Sequence, residues 1–293
     1  GDTNVIFFKD EHPLKASYSI VVTENGIVNS FNPLQSQNEP YLIKAKFPIT
    51  FTGIENYIQI FASESFRKAL LNNVIWIVLQ STVHVLFGVI FALIVSRGKR
   101  YSGFFRTVYM LPNIISSAAL GMLFYNIFNP MYGPVNKLIQ ALGVRDFKAN
   151  WFADTNLSFF AVTLTWLPFA AIVSILVIAE LTAISNSVLE AAIVDGASEF
   201  QLIWYVKLPL VRGAIGTGTI LAATSMLQKL DILAMTSNGG PGNKTMNLPL
   251  LIYKTAFGAN NFGQANAQGV VLIIVGLFSI GIINKIYRMN EPV

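Results

Sequence analysis

Cysteine is absent from the 293 residues, which excludes disulfides, thiolate metal sites and a cysteine nucleophile. Histidine is nearly absent too. His12 and His84 are the only two, far apart in sequence, so no histidine cluster has metal-ligand spacing. Charge is equally scarce: 12% of the residues are charged, where a soluble domain carries about 25%. Repeats of 20 to 50 residues and low-complexity tracts are also missing. A chain that is 53% hydrophobic and this poor in charge cannot cover itself with polar surface. The net charge of +5 does not point to nucleic acid, because the basic residues gather at the ends of apolar runs, as at cytoplasmic membrane flanks.

The apolar residues lie in runs rather than at an amphipathic period. Crossing about 30 Å of hydrocarbon takes about 20 helical residues, and five segments qualify: about 73–96, 107–128, 157–179, 213–235 and 263–284. Only the fourth carries charge, Lys229 and Asp231 near its distal end. Arg97, Lys99, Arg100 and Arg106 crowd the first connection, and Lys285 and Arg288 follow the last run. By the positive-inside rule both are cytoplasmic, which puts the N-terminus outside, the C-terminus inside and residues 180–212 inside. Residues 1–68 contain no spanning run and no signal-peptide pattern, so a membrane helix upstream of Gly1 is expected to export them. Within this external segment, Tyr18 to Thr23 and Ile27 to Phe31 flank Glu24-Asn25-Gly26, the pattern of a small hairpin.

The predicted cytoplasmic stretch 184–209 carries the most specific signal. Glu190-Ala191-Ala192 is followed by three residues ending in Asp195, then Gly196, nine residues, the branched aliphatic Val206, one residue, and Leu208-Pro209. Small alanines let a helix approach a partner closely, Glu190 offers a charge at the helix start, Gly196 permits a sharp turn between two short helices, and Pro209 opens the next membrane helix. The spacing resembles the EAA loop of ABC-importer permeases, with Val206 where isoleucine is usual. That resemblance implies a coupling role for Glu190, Ala191, Ala192, Asp195, Gly196, Val206, Leu208 and Pro209, seated in a groove of a separate ATPase subunit.

The likeness runs from about Phe51 to the C-terminus. Phe51-Thr-Gly53-Ile-Glu-Asn56-Tyr57, Arg106, Leu111-Pro112, Gly133 and Asn136 resemble stretches of sugar-type permeases. Gln228, Asp231, Thr236, Gly239-Gly240-Pro241, Thr245, Tyr253, Ala256-Phe257 and Gly263 fall as in the maltose type, with Leu230 in place of the usual phenylalanine. The first 50 residues resemble nothing known. Gly239 to Thr245 looks briefly like a phosphate loop, but that pattern needs glycine directly before the lysine and Asn243 stands there. It reads as an external turn near the substrate path.

Neutral sugars are held by neutral donors and acceptors beside aromatic faces. Asn113, Ser117, Tyr125, Asn126, Trp166, Gln228 and Asp231 are the candidate substrate-path residues, and Pro112 and Pro168 the candidate helix breaks. Ser116, Gln80 and His84 are further polar groups inside the runs, and any of these side chains can instead join helices to one another. Lys229 reads as a lysine snorkelling to the interface. It is two residues from Asp231, so the two do not face each other on a helix.

The expected fold is all-α: a polytopic helical bundle with a short external appendage (1–68), a permease domain (69–288) and the coupling loop. The resemblance implies a subunit in the cell membrane of an ATP-driven importer for a sugar or oligosaccharide. Its implied partners are a second related permease, two ATPase subunits holding ATP and Mg, and an external solute-binding protein. No cofactor is expected on this chain, and no catalysis. The competing class is an ion-gradient-driven secondary transporter, which would place ionisable residues deep in several spans. A membrane-embedded enzyme would need a catalytic constellation that the spans lack.

Overall fold

The computed structural model describes residues 4–8, 18–23, 26–28, 41–42, 53–98, 102–144 and 146–288, with the first four segments described as backbone alone. The chain divides into two units, Gly1–Glu55 and Asn56–Val293. In the first unit, β1 (Asn4–Phe8), β2 (Tyr18–Thr23) and β3 (Gly26–Val28) lie in the order β1-β2-β3, and β4 (Tyr41–Leu42) also pairs with β2. β2 and β3 are antiparallel, with Val21 opposite Val28 and Thr23 opposite Gly26. Glu24, Asn25 and residues 29–31 of the expected hairpin lie outside the described residues.

The second unit is helical: α1 (Glu55–Ala62), α2 (Glu64–Val95), α3 (Ser102–Ile114), α4 (Ser117–Ile127), α5 (Pro134–Ala141), α6 (Ser158–Leu164), α7 (Ala171–Ala183), α8 (Asn186–Val194), α9 (Glu199–Leu210), α10 (Arg212–Ser225), α11 (Asp231–Met235), α12 (Leu248–Tyr253) and α13 (Phe262–Tyr287). α2 and α13, with 32 and 26 residues, are each long and apolar enough to cross a membrane unaided. α2 carries a π-helical turn at Gln80–His84.

The other three expected runs are broken rather than continuous. α3 and α4 meet at 102°, where Ser116 leaves the helix (ψ 144°) and its Oγ accepts the Ala119 N–H. Pro112 lies inside α3, ahead of this break rather than at it. The run at 157–179 divides into α6 and α7 across 165–170, which contains Pro168; the proline has no N–H to give and disfavours helix in the residue before it. The run at 213–235 divides into α10 and α11 across 226–230, a stretch with neither glycine nor proline.

Unwound backbone inside a bundle needs hydrogen-bond partners, because lipid supplies none. At the 165–170 break, side chains of other helices provide them. His84 Nδ1 donates to the Leu167 carbonyl at 2.9 Å, Tyr109 Oη to the Pro168 carbonyl at 2.7 Å, and Asn113 Nδ2 to the Phe169 carbonyl at 3.2 Å. Tyr109 Oη also accepts the Ala170 N–H.

Two buried clusters hold the helices together. One centres on Trp76, whose Nε1 donates to Thr163 Oγ1 at 2.8 Å and whose ring stacks on Phe159 and meets Trp166 edge-on. The other joins the C-terminal half of α2 to α7 and α10 through Val85, Val89, Val173, Val177 and Ala222. Val173 is seated against two glycines: a Cβ at Gly88 would stand 2.8 Å from its Cβ, and one at Gly218 would stand 3.4 Å from its Cα. Small residues at helix crossings permit this close approach, which drives association where lipid is as apolar as the side chains. Gly88→Ile is therefore expected to lower stability by about 1–3 kcal/mol through overpacking. The midpoint of thermal unfolding in detergent, followed by tryptophan fluorescence, should fall clearly; an unchanged midpoint would show that the crossing yields freely.

Candidate functional site

A cavity of about 160 Å³ opens where the π-turn of α2, the α3–α4 bend, the 165–170 break and the 226–230 break converge. Four interruptions of regular helix thus share one place, and its wall is part polar and part apolar. Asn113, Ser117 and Trp166 of the sequence candidates line it, together with Gln80, His84, Ser225 and Lys229. Gln80 Nε2 reaches Ser225 Oγ at 3.4 Å, while Gln80 Oε1 and Trp166 Nε1 are buried without a hydrogen-bond partner. Lys229 Nζ stands 5.4 Å from the centre of the Trp166 ring.

The remaining candidates lie elsewhere. Asn126 Nδ2 donates to the Met122 carbonyl on its own helix, and its Oδ1 accepts from Tyr132 Oη at 2.8 Å. Tyr125 stacks on Phe152. Gln228 and Asp231 are exposed, and none of these four lines the cavity. Lys229, in contrast, belongs to the cavity wall rather than reading as a snorkelling side chain. A break without glycine or proline turned it there, which leaves no local signal in the sequence.

Glu190, Ala191 and Ala192 lie on α8, and Gly196 (φ +83°) makes the turn into α9. Glu190 is in the middle of α8 rather than at its start. Asp195 is the C-cap of α8, and the Gly196 and Ala197 N–H groups bond back to the Ile193 and Ala192 carbonyls, which closes the helix end on a left-handed glycine. On the far side, Ser198 and Gln201 form a reciprocal capping box at the start of α9. Val206 and Leu208 are half-buried, and Leu208 packs on the α2–α7–α10 cluster. Pro209 lies near the end of α9, not at the start of the membrane helix: α10 begins at Arg212 after a 67° bend. Arg97 at the end of α2 pairs with Glu199 at 2.9 Å. Meanwhile Ile193, Val194, Phe200, Trp204 and Tyr205 project exposed apolar surface from α8 and α9.

The family profile described as "Binding-protein-dependent transport system inner membrane component" matches residues 84–291. The chain belongs to this family. Among relatives of this permease, the probable ABC transporter permease protein YurN of Bacillus subtilis is 30% identical over 78% of the chain and 79% of its own length. The multiple sugar-binding transport system permease protein MsmF of Streptococcus mutans is likewise 30% identical, over 78% of the chain and 79% of its own. The lactose transport system permease protein LacF of Rhizobium radiobacter is 31% identical over 78% of each chain. In fold, the permease is similar to a chain of a bacterial alginate ABC transporter in complex with alginate pentasaccharide-bound periplasmic protein. The TM-score is 0.74 at 20% identity, covering 82% of this chain and 85% of that one. The MetNI methionine ABC transporter gives 0.51 at 19%, covering 78% and 100%.

The permease also holds its 236–247 loop in a way that the sequence did not announce. Asn72 Nδ2, buried on α2, lies 2.8 Å from the Met246 carbonyl, 3.0 Å from that of Lys244 and 3.4 Å from that of Asn243. Asn73 Oδ1 accepts the Leu248 N–H, and Asn247 Nδ2 donates to the Lys229 carbonyl at 2.6 Å, tying the loop to the 226–230 break. None of these loop residues lines the cavity; the loop is joined to its wall through Asn247 and the Lys229 carbonyl. Asn72→Leu strands the loop carbonyls and is expected to cost about 1–3 kcal/mol locally. Amide exchange across 236–247 should quicken while exchange in α13 stays slow; uniform protection would remove the bracing role.

Proposed function

We propose that this permease forms half of the translocation path of an ATP-driven importer for a sugar or oligosaccharide and couples to a separate ATPase through the α8–Gly196–α9 turn. The observation that carries the reading is the shape of that turn. Residues with the Glu-Ala-Ala, glycine and Leu-Pro spacing fold into two helices whose outward side chains are apolar and exposed, while Leu208 and the Arg97–Glu199 pair fasten the base to the bundle. An exposed cluster of large apolar side chains is what a partner protein covers. The partners are two cytoplasmic ATPase subunits, on which ATP and Mg bind, a second related permease and an external solute-binding protein. The C-terminus is cytoplasmic, and the N-terminal segment is external.

The sugar class is supported by relatives named for sugar transport and by the converged breaks. Asn113, Ser117 and Trp166 line the cavity there and would offer hydroxyl groups and a sugar-ring face their partners. Ion-gradient coupling finds little support, since the cavity lining contains no carboxylate and Asp231 is exposed outside it. The test is co-expression with the neighbouring permease, ATPase and binding-protein genes, followed by ATPase assay in nanodiscs. Hydrolysis should rise when the binding protein is loaded with saccharide. Solute movement driven by an ion gradient and indifferent to ATP would overturn the reading.

A further inference from the structure

Lys229 sits in the 226–230 interruption and lines the cavity, and the lining contains no Asp or Glu. No carboxylate pairs with it among the described residues, where Lys68 pairs with Glu64 and Arg97 with Glu199. The nearby Trp166 ring face, 5.4 Å from Nζ, offsets only part of the desolvation of an ammonium inside a membrane bundle. An ionisable side chain kept in such a place marks a candidate site for a ligand.

Two further features of the same cavity have the same sign. The first turn of α7, whose start has no side-chain cap, lines it through Ile172 and Val173, so the positive end of that helix contributes to its potential. Trp166 Nε1 is a buried donor without an acceptor. A lysine, a helix start and an unpaired donor converge on this space; the one unpaired acceptor beside them, Gln80 Oε1, is neutral, and among the described residues no carboxylate lines it.

We propose that the solute accommodated at Lys229 is an anionic saccharide, one whose acidic group (a uronate carboxylate, or a sulfate or phosphate ester) forms the counter-charge to this ammonium. This inference rests on the importer reading above and narrows it to a substrate class. A neutral sugar of the same size would leave the half-buried ammonium without a counter-charge, whereas an acidic one supplies it at the cost of its own desolvation, so the site discriminates between the two.

The assembled importer, with partner permease, ATPases and binding protein, is reconstituted in proteoliposomes. It is given a uronic-acid disaccharide, a sulfated disaccharide and the methyl ester of the first. Uptake should favour the acidic disaccharides over the methyl ester by at least about tenfold. At equal amounts of assembled complex, Lys229→Met should lower acidic uptake by at least about tenfold, and Lys229→Arg should stay within about threefold of the parent. Because every variant meets the same binding protein, the difference between them belongs to this chain. The proposal is overturned if the parent carries the ester and refuses the acids, or if Lys229→Met changes acidic uptake by less than about twofold. Those outcomes leave the importer intact; ATP-independent uptake, or none with any saccharide, overturns the importer reading and this inference with it.

Discussion

Gly196→Val is expected to uncouple the importer, with binding-protein-stimulated ATP hydrolysis falling about 5–30-fold while the bundle still folds. Gly196 has φ +83°, and a Cβ there would meet nothing within 4 Å. The penalty is therefore one of backbone conformation: an L residue in the left-handed region loses roughly 1–2 kcal/mol, and a β-branched one is the worst placed. A free-energy change of about that size is a factor of about 5–30 in the population of the competent turn. The turn lies at the exposed edge of the bundle, so global stability should change little. Gly196→Asn separates two causes, because asparagine tolerates positive φ, as Asn238, Asn243 and Asn260 do in this chain. If Asn restores stimulation, the turn geometry is what matters. If Asn and Val fail alike, the ATPase surface approaches the Cβ position itself. Full stimulation in both would remove the turn from the coupling path.

Trp166→Ala is expected to be the most damaging change in the cavity wall. Trp166 is 4% exposed, meets Trp76 edge-on at 5.4 Å, and faces Lys229 at 5.4 Å. Removing its ring opens a cavity in the Trp76 cluster, at the 165–170 break, with a loss on the order of 3–5 kcal/mol. In a bundle surrounded by lipid, that loss is of packing and dispersion rather than of transfer from water. Thermal unfolding of the detergent-solubilised chain should shift further for Trp166→Ala than for Asn113→Ala or Ser117→Ala. Trp166→Phe should return most of the stability, because the ring contacts survive, while uptake stays impaired through loss of the indole donor and the weaker cation–π face. Equal stability of all four variants would show that the ring is peripheral to the fold.

Much of this is legible in the amino-acid sequence. Apolar run length alone makes the chain a membrane protein, because hydrocarbon thickness dictates how many consecutive apolar residues are needed. The glycine turn at 196 was legible because left-handed backbone selects glycine, and the 165–170 break because Pro168 removes a helical donor. Both are local rules, set by a residue and its immediate neighbours.

Other features are invisible to such rules. The break at 226–230 has no glycine or proline to mark it; its backbone bends where it meets α13 and the 236–247 loop, as Asn247 holding the Lys229 carbonyl and Gly276 receiving Leu227 show. Asn72 and Asn73 read as polar residues at the edge of a span, yet they clamp a loop about 170 residues away. Tyr109 and Asn113 lie on α3 and satisfy carbonyls of a different broken helix. In each case the deciding partner is distant in sequence, and a buried backbone group takes whichever donor the packing brings near. The sequence by itself determined the class of protein, the glycine turn and one helix break, because hydrocarbon thickness and backbone sterics act locally. The tertiary structure decided where the breaks converge and that Lys229 faces the cavity they form, because only packing between helices chooses the side of a kink on which a side chain ends.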